Sequence, residues 1–168
     1  MPDAAKRQEQ IKLTYFYSHG IFQSLRHKPD QKDIIMKTVI LLRHSEPISD
    51  RTIPTELLPL SERGYAKAHK FFSLDIFHRV GAVYSSPYKR AYSTAEMLCR
   101  HITVDSRLRE RELGETETLS PNFWSRQYED HDCKNTGGES LNDVKCRMTE
   151  AVGEILSSMQ AGGTVAVV

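Results

Sequence analysis

The sequence predicts an α/β fold with a mainly parallel sheet covered on both faces. Three observations point to it. Short apolar runs alternate with longer amphipathic stretches from Thr38 onward. The runs are unbroken by polar residues, as expected of strands buried on both faces. The amphipathic stretches open on residues that cap helices, so the order reads β-α-β-α rather than strands followed by helices.

Thr38-Val39-Ile40-Leu41-Leu42 is β-branched and aliphatic, long enough for a buried strand and too short for a helix. Ser61 to about Phe72 reads as a helix, with Ser61 as N-cap and Glu62 in the first turn. Gly81-Ala82-Val83-Tyr84 reads as a second strand. Ser86-Pro87 has the pattern of an N-cap followed by N1, opening a helix to about Arg100. Ile102-Thr103-Val104 is a weaker third strand, followed by a charged loop from Ser106 to Glu117. Asn122 to Tyr128 is a short helix candidate.

Ser140 then caps the clearest helix. Leu141, Val144, Met148, Val152, Ile155, Leu156 and Met159 recur at three- and four-residue steps and form one apolar stripe. Gly162 and Gly163 stop it, and Thr164 to Val168 reads as another buried strand. Ahead of this alternation, Ile11 to Tyr17 suits a strand or an amphipathic turn, and Lys28 to Asp33 is linker-like. Residues 1–35 are therefore read as an N-terminal extension outside the core, and 36–168 as the domain.

Composition narrows the partners. With 168 residues there is room for one domain, and 39% hydrophobic against 27% charged residues excludes wholesale disorder. Lys+Arg is 23 and Asp+Glu is 22, a net charge of +1, which gives no general reason to expect nucleic acid or a membrane surface as partner. No apolar run has the length of a membrane span. Met1 to Gln10 lacks the apolar stretch of a signal peptide. Cys99, Cys133 and Cys146 are odd in number and without CxxC spacing, so a cytoplasmic location is expected. Oligomeric state is not legible.

Three segments carry chemistry. Leu42-Arg43-His44-Ser45-Glu46-Pro47 follows the first core strand, at the sheet edge where α/β folds bind ligands. Ser85-Ser86-Pro87-Tyr88-Lys89-Arg90-Ala91 follows the second, with Arg90 in the first turn of a helix, near free backbone N–H groups. Leu108-Arg109-Glu110-Arg111-Glu112-Leu113-Gly114-Glu115 brings carboxylates among arginines to a third strand end. Each alone is also what a solvated surface looks like.

Taken together, from about Met36 onward, they resemble the histidine phosphatase superfamily, the phosphoglycerate-mutase-like proteins. Leu42-Arg43-His44-Ser45-Glu46 looks like the Arg-His-Gly-Glu motif of that family. Leu60-Ser61-Glu62-Arg63-Gly64 is similar to the segment that follows it. Ser85 to Ala91 with Thr94-Ala95 resembles the second motif, and Leu108-Arg109-Glu110 with Leu113-Gly114-Glu115 the acid-bearing loop. Gly137-Gly138-Glu139-Ser140, with Val144 and Arg147, is similar to the opening of the penultimate core helix.

The resemblance implies a three-layer α/β/α fold and a metal-independent phosphomonoesterase that needs no cofactor and acts on a small phosphorylated substrate. His44 would be the nucleophile, forming a phosphohistidine, with its other ring nitrogen held by a backbone carbonyl. Arg43 and Arg90 would bind the phosphoryl oxygens. Glu110 would protonate the leaving oxygen and then activate water, and burial would keep its proton in place. Glu112 is the second candidate acid. The short interval from Thr116 to Thr136 favours a phosphatase over the alternative of a phosphoglycerate-type mutase.

Two departures stand out. Ser45 replaces the usual glycine, and Pro47-Ile48-Ser49-Asp50 lacks a phosphate-touching asparagine. The second catalytic histidine of the family would follow Thr164–Val168, so the sequence reads as truncated before it. That leaves an inactive phosphoanion-binding or interaction module as a further alternative. Tyr17-Ser18-His19-Gly20 has the look of the missing turn. A circular permutation would put His19 beside His44, but the Thr164–Val168 strand would compete for that place, and chance is the plainer account of the motif.

Overall fold

The computed structural model describes residues 10–16, 36–98 and 101–168. Five strands form one sheet: β1 (Gln10–Phe16), β2 (Met36–Leu42), β3 (Ala82–Ser85), β4 (Ile102–Val104) and β5 (Thr164–Val167). Their order is β1-β2-β5-β3-β4, and every neighbouring pair is parallel. Among the described residues, four α-helices accompany them: α1 (Glu62–Phe72), α2 (Lys89–Glu96), α3 (Phe123–Glu129) and α4 (Leu141–Ser158).

The unbroken apolar strands have the cause anticipated for them. Successive side chains point to opposite faces, and both faces are covered. Ile40, Leu42, Val83, Ala166 and Val168 share one face with Phe77 and with Ala91 and Ala95 of α2, against which Phe71 and Phe72 of α1 pack. Val39, Val165 and Val167 share the other with Ala151 and Ile155 of α4. Val39 and Ile40 are fully buried. Each such aliphatic side chain contributes about 1.5–3 kcal/mol relative to exposure. The β2–β5 centre is therefore the firmest part of the sheet.

The stretch read as outside the core supplies an edge strand. β1 runs beside β2 from Gln10 opposite Met36 to Phe16 opposite Leu42. β1 and β5 flank β2 on opposite sides, so the two strands do not compete for one place. His19 lies outside the described residues.

The helix starts follow local chemistry. The Ser61 hydroxyl accepts the Gly64 N–H at 3.0 Å. Ser140 and Asp143 form a reciprocal capping box, each bond 3.0 Å. Gly162, at φ 78°, turns the chain into β5. The expected Ser86 cap is different. The Ser86 N–H donates to the Val168 carbonyl at 2.8 Å, extending the sheet, and its hydroxyl accepts the Tyr88 N–H at 3.3 Å in a turn; the helix opens only at Lys89, with Tyr88 as N-cap. It ends at Glu96 rather than near Arg100.

Gly64 permits a close approach between α1 and the loop after β2. A Cβ there would lie 2.1 Å from the Glu46 carbonyl oxygen, a backbone atom that cannot swing aside. The Gly64→Ala protein should lose about 1–3 kcal/mol in urea unfolding, the usual cost of overpacking.

Candidate active site

Because all strands are parallel, the loops after β2, β3 and β4 meet at one edge of the sheet. β5 enters between β2 and β3, which places the β2 and β3 loops on either side of a switch in strand order. His44 stands there, half-buried. Its Nδ1 lies 2.7 Å from the Ser45 carbonyl oxygen, which fixes the proton on Nδ1. Its Nε2 then carries the lone pair and accepts the Arg90 Nε–H at 2.9 Å. Burial, then the positive charges of Arg90 and Arg43, hold the imidazole pKa below its ordinary range, although the Ser45 carbonyl opposes this. The ring is therefore neutral at pH 7.

Arg90 is the hub. It is 4% exposed. Besides His44, it donates to the Thr55 carbonyl at 2.5 Å and pairs closely with the Glu110 carboxylate. The Tyr88 ring lies 4.9 Å from its guanidinium carbon. Thr94, one turn along α2, accepts the Ser45 N–H at 2.9 Å and donates to the Arg90 carbonyl at 2.7 Å. It thus ties α2 to the histidine loop.

The geometry joins three of the four residues that sequence reading singles out: His44, Arg90 and Glu110. Arg43 is exposed beside them and makes no hydrogen bond or ion pair among the described residues. Glu112, the second candidate acid, pairs with Arg109 at 2.7 Å instead of reaching Arg90. Glu110 is not buried as expected. Its side chain is 62% exposed, and it lines the same cavity as His44 and Arg90.

Ser45, in place of glycine, turns its hydroxyl away to donate to the Gly64 carbonyl at 2.7 Å. Glu46 receives Arg63 at 2.5 Å and Lys67 at 2.7 Å. These two cations hold its carboxyl at about 2, well below the usual carboxylate range. The loop carrying His44 is thereby fastened to α1.

The acid loop has its own clamp. The Arg147 guanidinium grips both oxygens of Glu139 at 2.8 Å and donates to the carbonyls of Arg107 and Arg109 at 2.6 and 3.0 Å. Glu139 also receives Arg109 at 2.8 Å and the Glu112 N–H at 3.1 Å. Arg147, followed by that backbone N–H, lowers the Glu139 carboxyl to about 2. Phe123 is buried, with the Arg111 guanidinium 5.4 Å from its ring, whereas Trp124 is 54% exposed.

Two cavities flank Arg43 and His44. One, of about 540 Å³, brings His44, Tyr88, Arg90 and Glu110 together. The other, of about 610 Å³, has mostly apolar walls that include Leu42, Ala68, Phe71, Phe72 and Leu74.

Sequence reading missed the Thr55 carbonyl, which no residue type advertises. It also missed the bridging role of Thr94, which it noted only as part of the second motif.

Residues 39–168 match the model of the histidine phosphatase superfamily, branch 1. The chain belongs to the histidine phosphatase superfamily. It is 35% identical over 100 residues to "Putative phosphoserine phosphatase 2" of Hydrogenobacter thermophilus, covering 54% of this chain and 47% of that protein. It is 28% identical over 145 residues to phosphoglycerate mutase-like protein 4 of Arabidopsis thaliana, covering 75% and 63% respectively. The chain thus spans about half to somewhat under two thirds of the length of these curated relatives. Among solved structures, a mycobacterial glucosyl-3-phosphoglycerate phosphatase superposes with a TM-score of 0.63 at 28% identity, covering 76% of this chain and 71% of that one. Among the described residues, no helix is long and apolar enough to cross a membrane.

Proposed function

We propose that this chain carries a phosphomonoesterase site that works through a phosphohistidine on His44. The observation that carries the reading is the hydrogen-bonded line from the Ser45 carbonyl through His44 and Arg90 to Glu110. A neutral nucleophile, an always-charged anion binder and a carboxyl group stand in series in one cavity. The phosphatases among its relatives support the same reaction class.

An arriving phosphoryl group supplies oxygens for the Arg90 guanidinium, which then releases the His44 lone pair. Arg43, which has no hydrogen bond or ion pair among the described residues, closes on the same oxygens. As Arg90 turns to the phosphoryl oxygens it releases Glu110, which takes up a proton from solvent. The His44 Nε2 attacks phosphorus, the bond to the alcohol oxygen breaks, and Glu110 passes that proton to the oxygen. In the second half, water attacks the phosphohistidine, Glu110 takes its proton, and inorganic phosphate leaves with His44 restored. The arginines supply the positive charge that the transition state needs. The catalytic unit in this reading is residues 36–168.

Acid-stable and acid-labile phosphate are distinguished by quenching the protein with a labelled aryl phosphate. The expected result is acid-labile label on the wild-type chain and none on His44→Ala. Label that survives this substitution would rule the mechanism out. The same substrate reports pH dependence. A depressed His44 pKa means that protonation disables the nucleophile only at low pH. The kcat/KM profile should therefore rise with pH along a limb whose midpoint lies below the ordinary histidine value of 6.5.

A further inference from the structure

Ser86 lines the cavity that brings His44, Arg90 and Glu110 together, but stands outside the hydrogen-bonded line that joins them. It is only 5% exposed, and its polar groups can be followed one by one. Its N–H is given to the Val168 carbonyl at 2.8 Å, and its carbonyl receives the Ser85 hydroxyl at 2.8 Å. Its own hydroxyl oxygen accepts the Tyr88 N–H at 3.3 Å. The hydroxyl proton has no acceptor among the described residues. Leaving a buried O–H donor without an acceptor is costly, so a ligand that brings an acceptor gains by meeting it.

The sheet places this donor level with a phosphate ligand. Leu41 and Tyr84 both pair with Val167, so Arg43 and Ser86 come level two residues further on, on either side of the end of β5. Side chains alternate along a strand, and the Ser86 N–H bond to Val168 carries the ladder one step past β3. Ser86 therefore falls on the face that Tyr84 and Val167 share with Leu41 and Leu108, and Leu41 and Leu108 line the cavity with it. Two strand spacings set the Arg43 and Ser86 Cα atoms about 10 Å apart, a gap that an arginine arm and a phosphoryl group span together. Neither an imidazole nor a carboxylate among the described residues accepts from the Ser86 hydroxyl, so it is a donor and not an activated nucleophile. Glu110 is exposed, so the alcohol oxygen it protonates lies outward and the phosphoryl oxygens occupy the buried end, where Ser86 stands.

We propose that the Ser86 hydroxyl is a third donor to the phosphoryl group, beside Arg43 and Arg90, through a charge-assisted hydrogen bond to a non-bridging oxygen. The inference rests on the phosphomonoester reading above, and the test separates the two. Calorimetry on the full chain would measure the affinity of inorganic phosphate. Ser86→Ala should weaken it about tenfold or more, the scale of one hydrogen bond to a charged group. Ser86→Cys keeps the size of the side chain but offers only a weak S–H donor, so it should lose about as much, and it decides the matter if the alanine variant does not fold. Ser86→Thr, which keeps the hydroxyl, should stay within about threefold of the unmodified chain. The His44 pKa, followed by NMR in the phosphate-free chain, should not move in Ser86→Ala or Ser86→Cys, because Arg90 keeps its place beside the ring. An upward shift would mean that Ser86 acts only by seating Arg90, and would overturn the donor role. So would a loss under about threefold in the alanine or cysteine variant while the unmodified chain binds phosphate through Arg90. Absence of phosphate binding by the unmodified chain, or binding indifferent to Arg90→Ala, would sink the phosphomonoester reading itself and this inference with it.

Discussion

Replacing Arg90 with alanine should lower kcat/KM for an aryl phosphate by about a thousandfold, roughly 4 kcal/mol of transition-state stabilisation. The side chain is almost fully buried and serves the His44 Nε2, the Thr55 carbonyl and the Glu110 carboxylate at once. Arg90→Lys should recover little, because a single ammonium cannot reproduce three divergent N–H donors. Folding should change far less, within about 1–2 kcal/mol. Glu110 is exposed and water replaces its partner, while a buried cation is removed at the same time. A second readout separates this role from simple packing. Arg90 is one of the charges that depress the His44 pKa, so the acid limb of the pH profile should move upward in Arg90→Ala. An unmoved limb, or a loss of activity under tenfold, would count against Arg90 as the phosphate ligand.

The largest loss of stability is expected from breaking the Glu139–Arg147 pair. Both side chains are nearly buried, at 14% and 11% exposure. Arg147→Met leaves the Glu139 carboxylate with Arg109 and one backbone N–H, and removes two donors from the carbonyls of Arg107 and Arg109. Leaving one member of such a pair behind costs about 3–5 kcal/mol. Denaturant unfolding would measure it. Glu110 lies in the clamped segment, so activity should fall too, through a carboxyl that is no longer held in reach. The Glu139→Gln, Arg147→Met double variant should recover part of the stability, since the carboxylate charge that Arg147 held is then removed as well.

The same pair predicts acid sensitivity. The Glu139 carboxyl sits at about 2 when folded against an ordinary 4.5, so the unfolded chain binds the proton more readily. Its contribution is complete above pH 4.5 and is lost as pH falls from there toward 2. Glu139→Gln should flatten that part of the stability profile.

Much of the fold was legible because its signals are local. β2, β5 and the alternation around them follow from unbroken apolar runs, and α1 and α4 from Ser61, Ser140 and the spacing of apolar residues. Ser86 misled because its hydroxyl holds the Tyr88 N–H in a turn while its own N–H extends the sheet to Val168, more than eighty residues away, and the helix starts only at Lys89. Glu110 was expected to be buried, but its exposure depends on what covers the loop, which no short motif encodes.

The sequence alone determined which residue types stand at the strand ends: Arg43 and His44 after β2, Arg90 after β3, and the acids after β4. Hydropathy and capping are properties of neighbouring residues, so they can be read along the chain. Only the tertiary structure decided which of these meet. β5 passes between β2 and β3, Arg90 chooses Glu110 over Glu112, and the Thr55 carbonyl and the Glu139–Arg147 clamp fix the positions of the partners. Those choices are set by hydrogen bonds and ion pairs between residues far apart in the chain. Their directional geometry exists only once the sheet has brought the loops to one edge.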